Sequence, residues 1–481
     1  MRLINPILII RILGKILLLE ALIFLPCIIV AYLYNESTGP FVISSLLTGF
    51  FSFLLFVPWT KAKNIKITNR DTFLIVSLAW ILFPLFGTLP YILSDTIPGF
   101  IDALFESTSG FTTTGASILR DVEILPYSIL FWRSLTHWIG GVGIIALVIL
   151  ILPSLKVTGY QLFSLESSLK EKIHPKISGV AVRVLLIYLG LTVAEVILLD
   201  VGDMNLFDSI CHSFGTVATG GFSTKNISLM HYSNYSQFIV MIFMFLAGTS
   251  QVVYYYLVKN NFRKIRNNEE LWFYLIVVLV AGTLAGSILL LHTSKPLSES
   301  FREGFFQVIS IITCTGFANA DYILWPSAGM MLIFLLMFSG GCTGSTSGGI
   351  KMARHLIVQK NISRFFKRLS HPGAIITLKL NGKYVEEKTN RSILAFILLY
   401  FFIFLTGTCI LLILGSDPVT SASSVATCMA GIGPGFGTVG PMSNFSEMSA
   451  ISKTVLSFLM ILGRLEILPV FVLFGKSFWK I

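Results

Sequence analysis

The chain has 481 residues, 54% of them apolar and only 12% charged. Soluble domains carry about 25% charged residues, so an ordinary water-facing surface is excluded. The formal charge is +11, but no basic run is interleaved with aromatic residues, which argues for membrane topology and against a nucleic-acid partner.

A hydrocarbon core about 30 Å thick needs about 20 helical residues to cross. In chain order, spans are predicted over 14–34, 40–59, 72–94, 127–152, 182–199, 236–258, 271–291, 392–414 and 454–475. The first is longer than the apolar core of a signal peptide and lacks a small-residue cleavage site, so it is expected to be retained. A further run, 325–339, is too short and ends in the glycine-rich stretch Ser339 to Gly349, after which a more polar helical piece runs to Arg368. This reads as one broken crossing, of the kind found where backbone lines a cavity or packs inside protein. Ten crossings place both termini on one side. Gaps 60–71, 153–181, 259–270 and 351–391 are rich in Lys and Arg, which makes that side cytoplasmic. The alternate gaps hold acids, among them Asp102, Glu106, Asp121, Glu123, Asp203, Asp208, Glu303 and Asp417, and predict an acidic face around a cation entrance.

Each of the last four outer gaps contains a half-apolar segment that ends in a glycine turn. They read DALFESTSGFTTTGAS, FDSICHSFGTVATGGFST, FREGFFQVISIITCTGFAN and SSVATCMAGIGPGFGTVG. Setting Thr-Gly on Thr-Gly aligns Gly115, Gly220, Gly316 and Gly433. The apolar part before each glycine is long enough to dip into the bilayer but too short to cross it. It would aim its partially negative C-terminal end at the membrane centre. Glycine accepts the backbone angles that turn carbonyls inward. Four such turns around one axis would replace an ion's hydration shell with a ring of carbonyl dipoles.

These turns, the Ser339–Gly349 interruption and the span pattern resemble the TrkH branch of the Trk/Ktr/HKT superfamily of potassium transporters, over essentially the whole chain. The resemblance implies an all-α polytopic membrane fold with four membrane–pore-loop–membrane repeats around a central pore, plus an N-terminal two-helix extension. The expected units are 1–70 for the extension and 71–155, 181–262, 269–368 and 391–481 for the repeats. It implies potassium uptake across the bacterial inner membrane, with K⁺ as the transported ion and no organic cofactor. The filter would comprise Gly115, Gly220, Gly316 and Gly433 with the carbonyls of Thr114, Thr219, Thr315 and Ile432. Ile432 breaks the threonine pattern in the fourth loop. A cytosolic, nucleotide-binding RCK-type protein, TrkA, and a second copy of the chain are implied as partners; the basic gap 351–391 is the natural docking surface for the former.

Two features lie below the filter. Gly340, Gly341, Cys342, Thr343, Gly344, Ser345, Thr346, Ser347, Gly348 and Gly349 are small and polar enough to move in a wet cavity. In the family such a loop is a gate. As a phosphate-cradling loop the stretch fails, because Lys351 comes one position late and no strand precedes it. Arg464 sits near the middle of the last predicted span, where an arginine costs about 2.5–3.5 kcal/mol to insert and must face a cavity or a partner. It either snorkels, pairs with another helix, or acts as an electrostatic barrier to cations beneath the gate. Arg133 and His137 share one helix face and read as packing, with Glu195 their expected partner. A proton- or sodium-coupled symporter is the alternative reading, and Glu20, Glu195 and Glu466 are its candidate carboxylates. An enzyme is not expected: there is no HExxH, no GxSxG and no Asp pair within spans.

Overall fold

The computed structural model describes residues 4–56, 68–150 and 177–479. Lys61, Lys63, Lys66, Lys156, Lys170, Lys172 and Lys176, which helped to set the expected topology, lie outside that range. The chain is a multi-pass helical membrane protein in which polarity is turned inside out. Leu398, Phe402 and Leu405 of the helix Glu387–Ile413 are exposed, whereas Ser107, Thr108, Ser109 and Thr112 to Thr114 are buried. Lipid solvates the outer leucines and phenylalanines, so the apolar groups need no protein partner, while polar groups must find one.

The N-terminal extension is a hairpin of two helices, Pro6–Leu33 and Gly39–Phe56. Small residues let the two backbones approach: the Ser52 hydroxyl donates to the Gly14 carbonyl at 2.7 Å and Ser45 to that of Ala21 at 2.8 Å. Carboxylates fasten the hairpin to the first repeat at both ends. Asp71 accepts from the Asn5 amide at 2.7 Å, and Glu36 accepts from the amides of Tyr127 and Ser128 at 2.6 and 2.9 Å.

Four repeats follow, each a span, a short re-entrant helix and a second span. The first spans are Asn69–Gly87, Ile177–Asp200, Glu269–His292 and Glu387–Ile413. The re-entrant helices are Phe100–Phe111, Leu206–Val217, Leu297–Ile312 and Pro418–Ala430. Only the first of the second spans, Tyr127–Leu150, runs unbroken. One break was expected, in the third repeat; among the described residues there are three. In the second repeat, Asn234–Ala247 and Gln251–Val258 meet at 94°. In the third, Ser327–Leu336 gives way to the loop and then to Met352–Ser370. In the fourth, Ala450–Arg464 stops and Leu468–Phe474 resumes, with Glu466 and Ile467 both at positive φ. Neither additional break carries an unusual run of glycine or proline. What permits them is tertiary: the backbone groups freed at Ala247 and Gly248 are hydrogen-bonded by the intramembrane loop of the third repeat. The basic gap 351–391 contains one small sheet, Lys379–Leu380 paired antiparallel with Lys383–Tyr384 across Asn381-Gly382, both left-handed as a tight two-residue hairpin requires.

Candidate ion-conducting site

The four re-entrant helices end at Phe111, Val217, Ile312 and Ala430, and each is followed by a short extended strand. The strands share one alternation of backbone conformation. Positive φ occurs at Thr113 and Gly115, at Thr219 and Gly221, at Cys314 and Gly316, and at Gly431 and Gly433. The equivalent glycines are therefore Gly115, Gly221, Gly316 and Gly433. In the second loop the register from Thr-Gly matching is one residue off: Gly220 corresponds to Thr114, Thr315 and Ile432, and Thr219 to Thr113. The run A-T-G-G offers two glycines, and sequence matching takes the first while the left-handed position takes the second.

The corrected register closes a ring. A Cβ placed on Gly115 would overlap the carbonyl oxygen of Gly220, on Gly221 that of Thr315, and on Gly316 that of Ile432. On Gly433 it would lie 2.7 Å from the Thr114 carbonyl oxygen. Each glycine is thus seated on the carbonyl that precedes the equivalent glycine of the next loop, and the fourth returns to the first. Any side chain at these positions meets both the left-handed penalty, about 1–2 kcal/mol, and a backbone atom that has nowhere to go.

Behind the ring, residues equally far before three of the glycines bind the strand to its own helix, each by different chemistry. Glu106 accepts from the Ser117 hydroxyl at 3.0 Å and the Ile118 amide at 2.9 Å, and pairs with Arg133 at 2.9 Å. His212 meets the Ser223 hydroxyl at 2.9 Å. Gln307 donates to the Asn319 side chain at 3.3 Å and the Ala320 carbonyl at 3.2 Å. In the fourth loop the bond moves to Ser423, which accepts from the Phe436 amide at 2.9 Å. Arg133 also lies 4.1 Å over the Phe222 ring, and His137 stacks on that same ring. The expected partner of Arg133, Glu195, is not the one found; Glu106 is.

A cavity of about 140 Å³ opens onto the ring and is lined by Gly115, Gly221, Gly316 and Gly433. Its other lining residues include Arg120, Arg133 and Lys225, and among the described residues no carboxylate lines it. The acidic entrance expected from the outer gaps is absent at this mouth because the acids are already engaged as fasteners. Asp102 holds Lys453 at 2.7 Å, Glu123 faces Lys225 at 3.8 Å, and Asp121 accepts from the Asn226 amide group at 2.7 Å. That side-chain hydrogen bond holds the Asp121 carboxyl below its ordinary value.

On the opposite side of the ring lies the loop 339–349. Its Cys342 amide donates to the Gly248 carbonyl at 2.8 Å, and its Thr346 hydroxyl to the Val217 carbonyl at 3.1 Å. Gly348 abuts the Ala430 carbonyl so closely that a Cβ would not fit. The loop thus touches the C-terminal ends of the second and fourth re-entrant helices. Three charged residues hold it, Glu270, Arg464 and Lys351, whose ammonium donates to the Ser347 carbonyl. Glu270 accepts from the Thr343 amide at 2.7 Å, the Thr343 hydroxyl at 3.1 Å and the Ala353 amide at 2.9 Å. Arg464 donates to the Thr346 carbonyl at 2.8 Å and the Gly140 carbonyl at 3.0 Å. Arg464 lies near the middle of the last span, where the unexpected break makes it the last residue of the span's first helix. Within the break, Glu466 forms an ion pair with Arg354, on the helix that leaves the loop. Gly221, Glu270 and Arg354 were not singled out from sequence. In the sequence Glu270 and Arg354 are only part of the charge of the gaps 259–270 and 351–391.

Against known proteins, the family model TrkH, described as a cation transport protein, matches residues 42–481. The Trk system potassium uptake protein TrkG of Escherichia coli K12 is 34% identical, covering 97% of this chain and 97% of its own. The corresponding TrkH of Halomonas elongata is 33% identical over 98% and 99%. The crystal structure of the potassium transporter TrkH from Vibrio parahaemolyticus superposes with a TM-score of 0.90 at 31% identity, over 98% of this chain and 99% of that one.

Proposed function

The chain belongs to the TrkH family of cation transport proteins, and we propose that it takes up potassium through a channel-like filter gated by the loop 339–349. The observation that carries the filter is the closed cycle of four glycines, each seated on the next loop's carbonyl. An ion entering from the mouth exchanges its water for the carbonyls of Thr114, Gly220, Thr315 and Ile432. The four re-entrant helices point their C-terminal ends toward the site and favour a cation there. Below, the loop occupies the path, held by Glu270 from one side and Arg464 from the other. Arg464 contributes both a hydrogen bond to the loop and a positive charge beneath the filter. Opening is displacement of the loop, and flow is driven by membrane potential. A coupled symporter has one candidate fewer, since Glu466 is committed to Arg354.

The same reading places the protein in the bacterial inner membrane with both termini cytoplasmic. It assigns opening to a nucleotide-binding TrkA-type ring protein on the basic face, acting on a homodimer. The names of the relatives, all of a Trk potassium uptake system, support potassium as the cargo. Uptake of K⁺, Rb⁺ and Na⁺ by a bacterium deficient in K⁺ uptake tests it, with wild type against Gly115→Ser. Wild type should restore K⁺ and Rb⁺ uptake and exclude Na⁺, and the serine variant should admit Na⁺. Equal Na⁺ and K⁺ uptake by wild type overturns the filter.

A further inference from the structure

A second cavity, of about 650 Å³, lies on the basic side of the molecule at the start of the span Glu269–His292. Its lining divides by chemistry. Trp272, Phe273, Ile276 and Leu356 form an apolar wall, and Arg266, Asn267, Gln359 and Asn381 are among the polar residues that complete it. Trp272 and Ile276 are four residues apart, on one helix face, and are 47% and 54% exposed. The apolar wall is therefore continuous with the lipid-facing surface of the span. The Trp272 indole donates to the Arg266 carbonyl at 2.9 Å, so the ring sits at the level where tryptophan marks the membrane–water boundary.

The charge at this boundary is unbalanced. Glu269 is paired with Lys360, and Glu270 is turned inward to the loop 339–349. Arg266 is exposed and has no ion-pair partner among the described residues. A lone guanidinium at headgroup depth, over a groove whose floor is aromatic and aliphatic, complements a phosphate ester joined to an acyl chain. Neither half alone accounts for the shape: a soluble anion would leave the apolar wall uncovered, and a neutral lipid tail would leave Arg266 unmatched.

We propose that this groove is a binding site for an anionic phospholipid, with its phosphate on Arg266 and its acyl chain along Trp272 and Ile276. The site is independent of the filter and gate assignments. Its position gives it a further interest, because Leu356 and Gln359 belong to the helix that leaves the loop and Glu270 directly follows the lining residue Glu269.

The test uses the full chain in mixed micelles with brominated phosphatidylglycerol or brominated phosphatidylcholine, read by tryptophan quenching. The Trp272 component is the difference between wild type and Trp272→Phe. It should be quenched saturably, and by phosphatidylglycerol at lower concentration than by phosphatidylcholine. Arg266→Gln should weaken the phosphatidylglycerol titration by about fivefold, the factor one basic residue contributes at an anionic surface, and leave phosphatidylcholine unchanged. Arg266→Lys should retain most of the preference, which separates loss of charge from misfolding. Equal quenching of Trp272 by the two lipids, or an unchanged preference in Arg266→Gln, overturns the proposal. Relief of quenching by soluble glycerol phosphate as effectively as by unbrominated phosphatidylglycerol also overturns it, since the site would then read a free phosphate.

Discussion

Replacing Arg464 by alanine removes two charge-assisted hydrogen bonds, but only one of them bears on the loop. The bond to Gly140 ties two spans together and is the same whether or not the loop moves; the bond to Thr346 exists only while the loop is in place. A hydrogen bond from a charged donor contributes about 1.5–3 kcal/mol, and about 1.4 kcal/mol is a factor of ten. The ratio of occluding to displaced loop should therefore fall by about 10- to 150-fold. In sealed proteoliposomes containing the purified chain alone, Rb⁺ influx should rise by a comparable factor until the pore itself limits it. Arg464→Lys separates the two roles of the side chain. A lysine keeps the charge but cannot bridge two carbonyls with a planar fork. If the bond to the loop dominates, the lysine variant leaks like alanine; if the charge dominates, it stays closed like wild type. Influx through Arg464→Ala within twofold of wild type, at equal amounts of folded protein, would refute the reasoning.

Four further outcomes are expected. Gly221→Ala should abolish discrimination between K⁺ and Na⁺, and no single neighbouring substitution should restore it, because the added methyl meets the Thr315 backbone. The three atoms nearest to a Cβ on Gly220 all belong to the His137 side chain, so the pair Gly220→Ala and His137→Ala should recover selective uptake where Gly220→Ala alone does not; equal behaviour of the two glycines would return the register to the one read from sequence. Neutralising the mouth with Arg120→Gln and Lys225→Gln should raise initial Rb⁺ uptake at low ionic strength, with the gain disappearing as salt shortens the screening length to about 10 Å at 0.1 M; a gain indifferent to salt would rule out an electrostatic cause. Asp417 caps the fourth re-entrant helix through the amides of Val419 and Thr420, both at 3.0 Å, and its hydrogen bonds with Thr420 hold its carboxyl below the ordinary aspartate value. Because the folded value is depressed, the stabilisation is fully present above the unfolded value and is lost as pH falls through the folded one. The melting temperature of Asp417→Ala in detergent should therefore lie below wild type at neutral pH, by the equivalent of about 0.5–2 kcal/mol for a lost cap. The gap should narrow only once pH drops below the usual aspartate range, and a gap independent of pH would contradict the assignment.

The re-entrant repeat was legible in the sequence because it depends on local pattern: a half-span of apolar residues, then glycine, at comparable intervals. The same locality explains what was misread. Whether Gly220 or Gly221 takes the left-handed position is decided by which of them abuts Thr315, almost a hundred residues away, and adjacent glycines look alike to a pattern. The bend at Gly248 and the break at Leu465 fall inside predicted spans that are long and apolar enough to cross on average, although Thr249, Ser250 and Gln251 follow the first and Arg464 and Glu466 flank the second. They exist because Cys342 and Thr346 hydrogen-bond the backbone at the bend, and because Glu466 turns toward Arg354. Arg464 illustrates both sides. Its cost within a membrane marked it as needing a partner, but nothing nearby in sequence could reveal that the partners are two backbone carbonyls. The acidic residues were counted correctly and their use was not, since a charge tally cannot tell a free carboxylate from one engaged as a fastener.

The four unlike fasteners behind the ring have a genetic consequence. In a pore assembled from four identical subunits, one codon change appears in every quadrant, so an altered wall is altered fourfold. Here Glu106, His212, Gln307 and Ser423 are separate codons serving separate quadrants. A single mutation perturbs one quarter of the wall and leaves three intact, so under the proposed filter function selectivity can drift in small steps.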